Sequence, residues 1–151
     1  MINLKIAGKD VEAKFGFGAL FDANKEFSNI DNEGNSLNNG AANLFIRLVS
    51  GEVGVLVDIL NVSLTSKKGF SQEELNQAID DLTEDGEKLE EILELFKQEL
   101  LHSGFFKKAI KTQEKTMEET LTALKKKKKS EENDNFIVAV EKALTLLKEN
   151  I

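Results

Sequence analysis

Chemistry is first suggested at Phe15-Gly16-Phe17-Gly18-Ala19-Leu20-Phe21, because paired glycines between a strand and a helix are how dinucleotide loops bring backbone amides to a phosphate. Phe21 stands where the third glycine is required, and no Gly-Lys-Ser/Thr follows to form a phosphate cradle. The simpler reading is a sharp turn out of a hairpin into a helix, with Phe15 and Phe17 entering the core. His102 is the only histidine, and general-base work would need a nucleophile that no spacing in the chain reveals. At the end of an acidic helix an exposed imidazole suits the helix dipole. Glu87, Glu91 and Glu94 share a helical face, but carboxylates opposite an apolar stripe are its solvated side. Asn61-Val62-Ser63 fits a glycosylation sequon formally, in a chain that reads as unsecreted. With no Cys, disulfides, thiolate zinc sites and cysteine nucleophiles are excluded, and one His cannot hold a metal alone. The expectation is a protein without catalytic, cofactor-binding or metal-binding residues.

Charge narrows the partners. Residues 1–65 carry 5 basic and 8 acidic groups, residues 66–104 carry 4 and 11, and residues 105–151 carry 11 and 8. The balances of −3, −7 and +3 describe an acidic waist and a basic tail within a net charge of −7. That surface does not neutralise phosphates, and Arg47 is the only arginine, so no nucleic-acid partner is expected. The run Lys125–Lys129 lacks interleaved aromatics and meets Glu131 and Glu132 at once, which marks it as a solvated hinge. Five lysine codons in succession also make a nearly unbroken adenine tract, which can serve as a slippage site for the ribosome. Met1-Ile2-Asn3-Leu4-Lys5 does not open like a signal peptide and no apolar run is long enough to span a bilayer, so the reading is cytoplasmic, with no membrane partner.

The elements that would position these residues are legible in periodicity. Ile2, Leu4 and Ile6 alternate on one face and Val11, Ala13 and Phe15 on another, predicting a two-stranded hairpin turning at Ala7-Gly8. Such a hairpin needs a partner surface. A short helix carrying Phe17, Leu20, Phe21 and Phe27 is expected to lie across it. Residues 28–40 are turn-formers and read as an exposed loop. From Ala41 to Leu64 the apolar spacing is helical but interrupted at Gly51 and Gly54, predicting two helices that meet near Ser50-Gly51.

Thr65 to Phe70 is a polar connector, and Ser71 with Glu74 matches a capping box that starts the next helix. That helix should end near Asp81, and another should run from Thr83 with Leu89, Ile92, Leu93, Phe96 and Leu100 as its stripe, stopped by Gly104. Beyond Phe105 the stripe thins to Phe106, Ile110, Met117, Leu121 and Leu124, and Phe136 to Leu147 rebuilds an amphipathic helix after the lysines. The fold class expected is mainly α with a small N-terminal β-hairpin, a compact α+β arrangement. Its organisation is read as a hairpin plus helical core over residues 1–104, an amphipathic helix and lysine hinge over 105–129, and a last amphipathic helix over 130–151.

The opening from Ile2 to Gly18, followed by the apolar segment Leu44 to Leu64, the Ser71 helix and the acidic helix Leu89 to Leu101, resembles the tail assembly chaperones of long-tailed phages of Gram-positive bacteria, over about residues 1–105. The resemblance implies a small, acidic, largely helical, non-enzymatic protein of the host cytoplasm, absent from the mature virion. Its partner would be the tape-measure protein, kept soluble until the tail tube polymerises around it. A longer form made by programmed frameshifting would recruit tail-tube subunits, and the lysine tract falls late in the chain as such a site should. Here twenty-two residues follow that tract, a long tail for the family. On this reading the partner-binding residues are Phe96, Leu100, Phe106, Ile110, Met117, Leu121, Phe136, Val140 and Leu144, and the last helix supports a homo-oligomer. Two other classes stand beside it: a structural tail or head-to-tail adaptor retained in the virion, and a small enzyme using carboxylates and His102.

Overall fold

The computed structural model describes residues 1–66 and 69–151, so the expected connector from Thr65 to Phe70 lies partly outside the described residues. Strands β1 (Ile2–Ile6) and β2 (Lys9–Ala13) pair antiparallel with Leu4 opposite Val11, and Ile2, Leu4 and Ile6 are buried as alternation requires. Ala7 (φ 53°) and Gly8 (φ 77°) are both left-handed, the geometry of a two-residue turn that follows strand twist. The hairpin is made stable by what surrounds it. The backbone after the third helix extends it, with Ser63 and Glu12 carbonyls accepting from the Lys14 and Thr65 amides at 2.7 and 2.9 Å.

Seven helices follow among the described residues: α1 (Phe17–Phe27), α2 (Gly40–Val49), α3 (Val55–Ser63), α4 (Gln72–Leu82), α5 (Leu89–His102), α6 (Gly104–Lys125) and α7 (Glu131–Asn150). The mainly helical class with an N-terminal hairpin is therefore the observed one. The helix against the hairpin is α4, which packs on β1, whereas α1, expected there, packs on α2 and α3. The reason is side-chain size. The buried face of α1 is Ala19 and Ala23, small enough for another helix to approach closely, while its phenylalanines are too large for that face.

α1 also caps α2 from outside. Asn39 makes no side-chain cap, and the free amides of Gly40 and Ala41 instead donate to Ser28 Oγ (2.9 Å) and Asn24 Oδ1 (3.0 Å). Asn43 returns the contact by donating to the Phe27 carbonyl at 2.9 Å. The intervening loop is held by its own amides, with Asp31 Oδ1 accepting from Glu33 and Asn35 and a single bridge joining Ile30 to Ser36. Between α2 and α3, Arg47 clasps Glu52 through two nitrogens (2.8 and 2.9 Å) and reaches Asp58 at 2.7 Å. The lone arginine is thus a clamp on the α2–α3 corner. Its hydrogen bond to Glu52 holds the guanidinium above its ordinary pKa and the Glu52 carboxyl below its own.

The capping box forms as the sequence predicts, with Ser71 Oγ accepting from Glu74 N at 3.1 Å and Glu74 Oε1 from Ser71 N at 2.9 Å. The following helix does not begin at Thr83 but at Leu89. Thr83 is buried, donates to the Ile79 carbonyl and accepts from Gly86 N, and Glu84, Asp85 and Gly86 are all left-handed, so helical backbone cannot run through them. Gly104 does not stop α5 either: it is the first residue of α6, and Ser103 makes the corner.

α6 and α7 form an antiparallel pair joined by residues 126–130, and α7 packs on both α6 and α2. Ion pairs Lys125–Glu141 (3.2 Å) and Lys148–Glu118 (2.8 Å) run along the pair. Leu144 and Leu147 are buried, so α7 covers the stretch of α6 where the apolar stripe thins. The central core is Phe45, Leu56, Ile59, Leu60, Phe96 and Phe106, each at most 1 % exposed.

Candidate functional site

Adjacent helical residues point about 100° apart, and at the start of α6 only one of Phe105 and Phe106 faces the core. Phe106 is 1 % exposed and meets Phe15 edge-on at 5.9 Å, while Phe105 is 49 % exposed. Phe105 is not solitary. Its ring meets Phe17 at 5.8 Å, and Phe17 meets Phe21 at 6.4 Å, giving an aromatic cluster that spans α1 and α6 on the outer surface. Phe17 and Phe21 are 62 % and 58 % exposed, against the expectation that Phe17 would be core. Between the two helices lies a groove of about 580 Å³ lined by Leu20, Asn24, Gly104, Phe105, Lys108 and Ala109. An apolar surface of this continuity is what proteins use to meet another apolar surface.

The groove is pre-set by the corner beneath it. Ser103 Oγ accepts from Phe106 N at 3.3 Å, capping α6, and donates to the Phe15 carbonyl at 2.7 Å. One hydroxyl therefore fixes the start of α6 against the residue that leads into α1. With the Phe15–Phe106 contact, it sets the distance between the walls. Ser103→Ala is expected to cost about 1 kcal/mol of unfolding free energy, as loss of a cap does, and to loosen the α1–α6 spacing; thermal melts and amide exchange of residues 104–107 measure the two effects.

The residues expected to bind a partner divide. Phe96, Leu100, Phe106, Ile110 and Leu144 are buried in the body; Met117, Leu121 and Val140 are half-buried; Phe136 is 58 % exposed. The exposed cluster of Phe17, Phe21 and Phe105 was missed by sequence reasoning. The signal that reaches part of it is local: Phe17 and Phe21 share a face set apart from Ala19 and Ala23, whereas which ring of the Phe105-Phe106 doublet turns outward is decided by packing.

The positions weighed for catalysis are exposed. His102 lies at the end of α5, and Glu87, Glu91 and Glu94 face solvent, with Glu94 paired to Lys97 at 3.6 Å and accepting from Gln98. Among the described residues no group of three or more acidic, His or Cys side chains is placed to hold a metal ion. No helix described is long and apolar enough to cross a membrane.

The surface feature set apart from the solvent-facing polar residues is thus the apolar groove between α1 and α6 with its exposed aromatic cluster. A family model described as phage tail assembly chaperone protein matches residues 3–115, which takes in the hairpin, the groove and both of its walls. No curated protein and no solved structure matches the chain. With three quarters of its length matched, the chain belongs to the phage tail assembly chaperone family.

Proposed function

We propose that this chain is a non-enzymatic holdase of the host cytoplasm that keeps the tape-measure protein of a long-tailed phage soluble by seating its apolar helical segments in the α1–α6 groove. The observation that carries the proposal is the exposed aromatic cluster of Phe17, Phe21 and Phe105 beside that groove. A tape-measure protein is expected to be long, helical and rich in apolar heptads, and an amphipathic helix laid in an apolar groove is a common recognition mode. Covering three half-exposed rings is worth on the order of 4 kcal/mol, which for one groove amounts to a roughly millimolar grip. A grip this weak holds a client only where copies are linked to one another, as the expected homo-oligomer would link them, and each copy is weak enough for arriving tube subunits to displace without ATP.

Phe136, Met117, Leu121 and Val140 extend the proposal to a second surface at the α6–α7 pair, with the buried members of the predicted set supporting it from beneath. The lysine tract fits the same mechanism. Both groove walls precede Lys125, so a product that changed frame at Lys125–Lys129 would keep the groove, exchange α7 for a new segment and bring tube subunits to the same client.

Co-expression tests the proposal. Wild-type chain should keep the tape-measure protein of the same phage in the soluble fraction, and the F17S/F21S/F105S variant, folded by circular dichroism, should leave it in the pellet. A client equally soluble with both would contradict the groove's role.

A further inference from the structure

The groove has a charged lip. On α6, Lys107, Lys108, Lys111 and Lys115 follow one another along the flank that continues from Phe105 and Ala109 away from the core, and Lys108 lines the groove itself. None of the four makes an ion pair among the described residues, whereas Lys5, Lys88, Lys97, Lys125 and Lys148 each reach a carboxylate within 4.0 Å. Lys14, in the segment before α1, lines a separate cleft with Phe17, and on α1 itself Lys25 follows Phe21 by one turn. The acidic residues of α1, Asp22 and Glu26, fall by helical spacing on the half of that helix turned away from Phe17, Leu20 and Phe21. A chain of net charge −7 thus carries a basic rim around its exposed aromatic cluster.

We propose that the groove selects an amphipathic helix whose apolar anchors are flanked by glutamate or aspartate. This rests on the reading of the groove as the client site and adds the chemistry of the segment it prefers. The overall charge of the chain repels an acidic client at a distance, but at physiological salt fields fade within about 8 Å, so the lysines beside the groove decide the contact. Opposite charges at the rim fix register and exclude clients of the wrong sign. Within the chain itself α5 has its apolar stripe turned into the core, which leaves the start of α7, with Glu131, Glu132 and Asp134 beside the exposed Phe136, as the segment of a second copy that sedimentation must exclude.

The test uses three synthetic helical peptides with the same leucine and phenylalanine anchors and flanks of Glu, Gln or Lys, titrated by fluorescence anisotropy onto the full chain. The Glu peptide should bind about tenfold more tightly than the Lys peptide, as several exposed pairs together allow, with the Gln peptide between them and the gap narrowing at high salt. The K107E/K108E/K111E/K115E variant, matched to wild type in its thermal melt, should reverse the order. Equal binding of all three peptides, each lost in F17S/F21S/F105S, would overturn the charge selection while leaving the groove as the docking site. Binding unaffected by F17S/F21S/F105S, or no binding at all, would remove both. Sedimentation of the chain alone that shows self-association abolished by the same three serines would overturn the proposal in favour of a second copy as occupant.

Discussion

Phe106→Ala is expected to lower the unfolding free energy by about 4 kcal/mol, and Phe105→Ser, one residue away, by only about 1 kcal/mol. Phe106 is fully enclosed and its ring meets Phe15, so its removal leaves a cavity where α6 meets the segment leading into α1. Phe105 has half its surface in water and meets only the exposed Phe17 ring among the aromatics. Function should divide the opposite way. Phe105→Ser removes the ring that joins the two walls of the groove and should release the client from a folded chaperone. Chemical denaturation and client co-sedimentation, run on both variants, separate the two roles.

Gly40→Ala should be nearly as damaging to stability, costing about 3 kcal/mol, although it adds one methyl group. A Cβ at Gly40 would lie 1.9 Å from the Ala23 carbonyl oxygen and 2.9 Å from the Asn24 Cα, and these are backbone atoms that cannot rotate aside. To make room, α2 must withdraw from α1, breaking the bonds from the Gly40 and Ala41 amides to Ser28 and Asn24. The φ of Gly40 is ordinary, so the requirement is for space rather than for glycine's conformational freedom. Gly18→Ala is the matched control: its added Cβ has nothing within 4 Å, and as a residue of α1 it should be neutral or slightly stabilising. A melting temperature for Gly40→Ala equal to that of the control would show that the two helices are not in the contact described.

How far these features are legible in sequence depends on whether a local pattern encodes them. The hairpin, the Ser71 capping box and the break between α2 and α3 were readable because alternation, a cap at fixed spacing and glycine interruptions are short-range signals. The contact of α1 with α2 rather than with the hairpin was not, because it depends on alanines at 19, 23, 41 and 42, which periodicity scores weakly while packing uses them for close approach. The start of α5 departs from the expectation because Glu84 and Asp85, acidic residues suited to a first helical turn, are held left-handed by the Thr83 bonds around them. The late helices show the same limit for the site. Phe96, Phe106 and Ile110 have the periodicity of a binding stripe and of a core stripe alike, and only tertiary packing distinguishes the two. Phe105 lies far from Phe17 and Phe21 in the chain and joins them in one surface through the Ser103 corner.

Hydrogen exchange of the chain, alone and with excess tape-measure protein of the same phage, tests the central claim most directly. The account predicts slower exchange in residues 17–24 and 104–112, the two walls of the groove, with the β1–β2 hairpin and α4 unchanged. Slowing confined to the hairpin or to α4, with α1 and the first half of α6 unaffected, would contradict it.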